Sequence, residues 1–136
     1  MRPHSLMIAS ALVIGLAMPA AAQQSMHRYA TFFKYSDEAM KAMMEHPQDR
    51  QAAAAKLAEE FGGKLESAYW FSTGSEYDGM VILQLPDDVT SVALGMMTRA
   101  SDNFTDIRNV SVLTSQEFTA AMKKGRGAKS TAPTDN

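Results

Sequence analysis

At 136 residues with 13 basic and 15 acidic side chains, the chain is sized for one domain on one core, and its formal charge of −2 offers no basic face for nucleic acid. It has no cysteine, which excludes a disulfide framework, a thiolate metal site, a cysteine nucleophile and a lipid-bearing cysteine. Packing alone has to stabilise it.

Arg2, the apolar run over residues 6–17 (LMIASALVIGLA) and the small residues Ala20, Ala21 and Ala22 after Pro19 match a secretory signal cleaved after Ala22. The run is shorter than the roughly 20 apolar residues of a spanning helix. The chain is therefore expected to be exported, periplasmic or secreted, with no stable membrane anchor once residues 1–22 are removed. Cleaving 22 of the 136 residues leaves 114, and losing Arg2 leaves 12 basic against 15 acidic side chains, formally −3.

Residues 27–35 (HRYATFFKY) are rich in β-formers and predict a first strand. Ser36 follows as an N-cap, with Asp37 and Glu38 well placed against the first-turn dipole. A short helix then runs to about His46, with Met40, Met43 and Met44 on one face. Pro47 interrupts it and can open a second helix, which runs to Phe61 with Ala53, Ala54, Leu57 and Phe61 as its stripe. Gly62 and Gly63 supply the stop.

The next segment, GGKLESAYWFSTGSEYDGMVILQLP, predicts a β-hairpin that is apolar on both faces. Strict alternation over residues 65–71 puts Leu65, Ser67, Tyr69 and Phe71 on one side and Glu66, Ala68 and Trp70 on the other. After a turn within residues 72–76, the strand over 77–85 puts Val81, Leu83 and Leu85 on one side and Met80 and Ile82 on the other. Helices on one face of a small sheet leave the second set uncovered.

Asp87 or Asp88 caps a helix in which Val89, Val92, Ala93, Met96, Met97 and Ala100 make the clearest helical stripe in the chain. Asp102-Asn103 turns into a strand over residues 104–113. Thr114 and Glu117 then form a capping box for a last helix ending near Lys123. Residues 125–136, locally basic through Lys123, Lys124, Arg126 and Lys129, lack apolar periodicity and are expected to be a disordered tail.

The order is β-α-β-β-α-β plus a terminal helix. It predicts an α+β, ferredoxin-like domain over residues 23–124, with a four-stranded antiparallel sheet and helices on one face. Two such sheets packed face to face would bury the second apolar set, so a homodimer through the open sheet face is expected.

Phe33-Lys34-Tyr35-Ser36, residues 47–58, the GGKLESAYW segment, Glu76-Tyr77-Asp78 and Leu85-Pro86-Asp87-Asp88 together resemble the GYD domain family, over about Arg28 to Lys123. The chain departs from the family pattern where two residues, Ser75 and Glu76, separate Gly74 from the Tyr-Asp pair instead of one. Gly79 also stands where a branched apolar residue is common. The resemblance implies a ferredoxin-like fold and dimerisation, and the family has no settled activity to carry over.

The residues suggest three kinds of site. Tyr77 and Asp78 at a sheet edge could hold a ligand hydroxyl or act as acid and base; equally, the aspartate could satisfy turn amides while the tyrosine packs at the rim. Aromatics crowd the first two strands, at Tyr29, Phe32, Phe33, Tyr35, Tyr69, Trp70 and Phe71, and could wall a sheet–helix pocket or simply fill core and dimer interface. Candidate pocket residues are Tyr35, Tyr69, Trp70, Tyr77, Asp78 and Arg108, for a small apolar or aromatic ligand. Asp106 and Arg108 share one face of the last strand and could clamp a carboxylate or each other.

Met40, Met43, Met44 and His46 are soft donors suited to Cu(I), but their spacing matches no ligand motif and methionine routinely fills cores, so no metal or other cofactor is expected. There is no glycine-rich phosphate loop, Gly-x-Ser-x-Gly elbow or His-x-x-x-His pair. The leading expectation is a homodimeric ligand-binding or structural module. The alternative is a cofactor-free, monooxygenase-like enzyme of the dimeric α+β barrel type acting on an aromatic substrate, an analogy from fold alone.

Overall fold

The computed structural model of the chain describes residues 25–72 and 74–129. The expected signal over residues 1–22, and residues 130–136 of the expected tail, lie outside the described residues. Eight elements follow in order: β1 (His27–Tyr35), α1 (Asp37–Glu45), α2 (Arg50–Glu60), β2 (Lys64–Trp70), β3 (Gly79–Leu85), α3 (Asp88–Ala100), β4 (Phe104–Ser111) and α4 (Ser115–Arg126). The strands form one antiparallel sheet in the order β2-β3-β1-β4. β3 separates β1 from β2, and α1 with α2 makes the crossover between them, which is the expected split βαβ arrangement.

Local chemistry sets the helix ends. Ser36 Oγ accepts from the Ala39 amide at 3.2 Å, and Asp87 Oδ1 accepts from the Thr90 amide at 2.7 Å. At the other end of α2, Gly62 takes φ +70°, which an L side chain rarely adopts. That turn lets the Gly63 amide reach Ala58 O at 2.8 Å and the Gly62 amide reach Glu59 O at 2.9 Å, a Schellman stop. Thr114 and Glu117 close the capping box in both directions.

Directly opposed residues of an antiparallel pair share a face. Tyr29, Thr31 and Phe33 of β1 therefore line up with Leu83, Val81 and Gly79 of β3, and with Ser111, Asn109 and Ile107 of β4. This row faces the helices and forms the core with Leu85, Ala58 and Leu94. α2 lies against β2, and α3 against β4. The alternate row (Ala30, Phe32, Met80, Ile82, Arg108 and Val110) looks away from the helices.

The structure corrects the expected boundaries in four places. Pro47 does not open α2; Asp49 does, because its side chain accepts from the Ala52 amide at 3.0 Å and so satisfies an end that proline leaves bare. Tyr77 and Asp78 precede β3 rather than opening it. β4 ends at Ser111, not at residue 113. α4 runs through Gly125 to Arg126, two residues into the expected tail, its basic last turn matching the negative end of the dipole.

Two expectations about faces also change. Strict alternation along β2 fails, because the pairing with β3 shifts between Leu65 and Ser67. After that irregularity Leu65, Ala68 and Trp70 share the helix side, opposite Leu83, Val81 and Gly79, while Ser67 and Tyr69 lie opposite Ile82 and Met80. The apolar stripe of α3 points outward, with Val89 79%, Val92 60% and Met96 67% exposed, while Ser91 and Leu94 are buried. Ser91 is tolerated inside because Asn109 Nδ2 donates to its hydroxyl.

Gly79 marks a close approach in the sheet. A Cβ there would lie 2.5 Å from Phe33 Cζ and 2.5 Å from the Tyr69 carbonyl oxygen. Gly79→Ala is therefore expected to destabilise the fold by about 1–3 kcal/mol, the usual cost of overpacking. Urea denaturation checks this, and an unchanged midpoint would contradict the close packing of Phe33 on the glycine.

Candidate functional site

The helix side of the sheet is not filled throughout. Between β1, β2 and β3 on one side and α2 and α3 on the other lies a pocket of about 260 Å3. Phe33, Tyr35, Trp70 and Phe104 supply aromatic walls, and Ala54 and Leu57 line it from α2, Leu94 and Met97 from α3. Thr98, Ser101 and Asn103, around the end of α3, add polar groups.

The aromatic wall is ordered by mutual contacts. The Phe33 ring lies 5.2 Å from Tyr35, 6.2 Å from Trp70 and 6.1 Å from Phe104, each edge-on, and Tyr35 stacks on Phe104 at 5.1 Å. Trp70 Nε1 donates to the Tyr35 hydroxyl at 3.3 Å. Trp70 reaches the helix side because of the shifted pairing at Leu65–Ser67, and it is still 43% exposed, so it stands between pocket and solvent.

The structure brings two of the six expected pocket residues, Tyr35 and Trp70, into this site. Asp78 stands behind it. Its Oδ2 accepts from the Tyr35 amide at 2.8 Å, its own amide donates to Phe33 O at 2.9 Å, and its carbonyl accepts from the Phe71 amide at 2.8 Å. These bonds tie the pocket end of β1 to the β2–β3 connection. Tyr69, Tyr77 and Arg108 belong to the opposite face. Tyr69 and Arg108 lie opposite Met80 and Phe32 there, and the Tyr77 ring packs 5.7 Å from Phe32. The Tyr77 hydroxyl donates to Asp106 Oδ2 at 3.0 Å, and that bond raises its pKa above the ordinary value. Asp106 thus takes Tyr77, and among the described residues it makes no ion pair with Arg108.

The soft donors on α1 are divided. Met43 packs against the core, Met40 and Met44 are exposed, and His46 is the exposed C-terminal cap. Among the described residues no group of three His, Cys, Asp or Glu could hold a metal ion.

Sequence reasoning missed Arg50. It is the first residue of α2 and lines the pocket. Its Nη1 donates to Gln48 Oε1 at 3.0 Å, while its Nε, buried from solvent, has no hydrogen-bond partner among the described residues. A signal was present: a cation in the first turn opposes the helix dipole, an electrostatic cost with no local benefit in the sequence.

A second recess lies between α3 and β4, lined by Tyr29, Asp88, Ser91, Arg99 and Asn109 among others. It is internally paired. Tyr29 O–H donates to Asp88 Oδ1 at 2.6 Å, Thr31 Oγ1 to Asn109 Oδ1 at 2.9 Å, and Arg99 Nη2 to the Ile107 carbonyl at 2.8 Å.

A family model described as the GYD domain matches residues 29–122 of the chain. Among curated proteins no match to the chain is found.

Burial, and then the bond to Asp88, push the Tyr29 pKa from the ordinary 10 up to about 12. The folded state therefore holds this proton more tightly than the unfolded chain. The stability this confers is complete below pH 10 and is lost as the pH rises from 10 towards 12. Alkaline denaturation of wild type and Tyr29→Phe is expected to show a shallower loss over that window in the variant. Identical slopes would contradict the assignment.

Proposed function

Because the chain belongs to the GYD domain family, we propose that it is a homodimeric small-ligand-binding module. The pocket between the sheet and α2 and α3 takes a one- or two-ring apolar or aromatic molecule, and a second copy of the chain covers the outward sheet face. The observation that carries the reading is the pocket itself: about 260 Å3, apolar, with four aromatic walls and a few polar groups. That composition is typical of small-molecule sites, and the volume falls just under the ~300–1,000 Å3 of larger ones.

The outward face supports the second half. Ala30, Phe32, Met80, Ile82 and Val110 lie side by side across three strands, extended by Phe71 and Tyr77 beside Phe32. The Arg28–Glu66 ion pair at 2.7 Å, with Gln84 Nε2 also donating to Glu66, forms a polar margin at one end. An apolar centre with a polar rim is the anatomy of a protein interface. The chain is taken to act outside the cytoplasm, on the strength of Arg2, the apolar run at residues 6–17 and the small residues before Gln23.

Trp70 is the single tryptophan of the chain, so its emission reports directly on the pocket. Titration with 2-naphthol is expected to shift or quench that emission saturably in wild type. Ala54→Phe, which fills the pocket from α2, is expected to abolish the response. A filled variant that still responds equally would refute the pocket. Native mass spectrometry is expected to give a two-chain mass for wild type and a single-chain mass for Met80→Asp, since the new carboxylate would be buried unpaired in the interface. A monomeric wild type, or a variant that stays dimeric, would refute the sheet-face dimer.

A further inference from the structure

One charge stands in the apolar pocket. Arg50 lines it, and among the described residues no aspartate, glutamate or second basic residue does. Its Nε–H is sealed from solvent and has no acceptor among the described residues, although Nη1 is held by Gln48. A buried charged donor left unsatisfied is costly, and arginine cannot escape the cost by losing its proton. Arg50 also opens α2, whose dipole adds positive potential at the same end. Asp49 caps the same end, but among the described residues that line the pocket Arg50 carries the one fixed charge.

We propose that the pocket's ligand is a small aromatic or apolar monocarboxylate, its carboxylate paired with the Arg50 guanidinium and its body packed among Phe33, Tyr35, Trp70 and Phe104. The proposal rests on the reading of this pocket as a ligand site. A planar guanidinium suits the two oxygens of a carboxylate, and Gln48 takes only one of its nitrogens. A single cation without basic neighbours matches one negative charge, and a multiply charged phosphate would leave charge unmatched.

The test compares 2-naphthoate with its neutral isostere 2-naphthamide, by Trp70 fluorescence and calorimetry on the full chain. Wild type is expected to bind the acid at least about tenfold more tightly than the amide, the worth of a hydrogen bond to a charged group. Arg50→Gln is expected to weaken acid binding far more than amide binding and so to erase the preference. Arg50→Lys, which keeps the charge but loses the planar edge, is expected to retain part of the preference. Equal binding of acid and amide by wild type would overturn the carboxylate proposal and leave the pocket standing. Binding of neither would overturn both. An equal loss of acid and amide in Arg50→Gln would reduce Arg50 to a structural role and overturn the proposal. If Arg50→Gln does not fold, the wild-type comparison and Arg50→Lys decide.

Discussion

Phe33 lies opposite Gly79 where β1 pairs with β3, and its ring occupies the space where a side chain at residue 79 would be. An aromatic ring lying over a cross-strand glycine recovers packing that the glycine itself cannot offer. Here it also sets the position of three further rings, since Tyr35, Trp70 and Phe104 all pack edge-on against Phe33. Asp78 secures the same corner by bonding the Tyr35 amide, the Phe33 carbonyl and the Phe71 amide. The aromatic wall of the pocket is thus a consequence of one small residue and one carboxylate next to each other in sequence.

The two faces of the sheet then take different roles. On the helix side, α2 contributes mostly alanines near the wall, so helix and sheet meet at Ala58 and stand apart beside Ala53 and Ala54. That spacing leaves the opening which Arg50 borders. On the other side no helix among the described residues covers Phe32, Met80, Ile82 and Val110, and the proposed second copy would bury them. The proposed ligand site and the proposed interface are separated only by the thickness of the sheet. Phe32 and Phe33 are neighbours in the chain and face opposite ways.

Much of the architecture was legible in the chain. Capping residues at Ser36, Asp87 and Thr114, glycines at 62 and 63, and the order of apolar runs all lead to the observed elements, because each acts through contacts within a few residues. The strand pairing was less so. The shift between Leu65 and Ser67 has no local sequence mark, yet it decides which side Trp70 faces. The stripe of α3 marked a helix correctly but not its buried side. Ser91 goes inside because Asn109, eighteen residues later, meets its hydroxyl, and hydropathy cannot register such a partner. Of the site, Tyr35 and Trp70 were recognisable as clustered aromatics. Tyr69, Tyr77 and Arg108 went to the other face, while Arg50 was marked only by a cation placed against the dipole of an alanine-rich helix.

The account stands or falls on what occupies the space between Phe33, Trp70 and α2. A crystal structure of the protein grown with 2-naphthoate would examine it most directly. The predicted result is electron density for the fused rings inside the aromatic wall, with a carboxylate oxygen within hydrogen-bond distance of the Arg50 guanidinium. Rings bound on the outward face near Phe32 and Tyr77, or a pocket closed by side chains with Arg50 Nε turned to a protein acceptor, would contradict it.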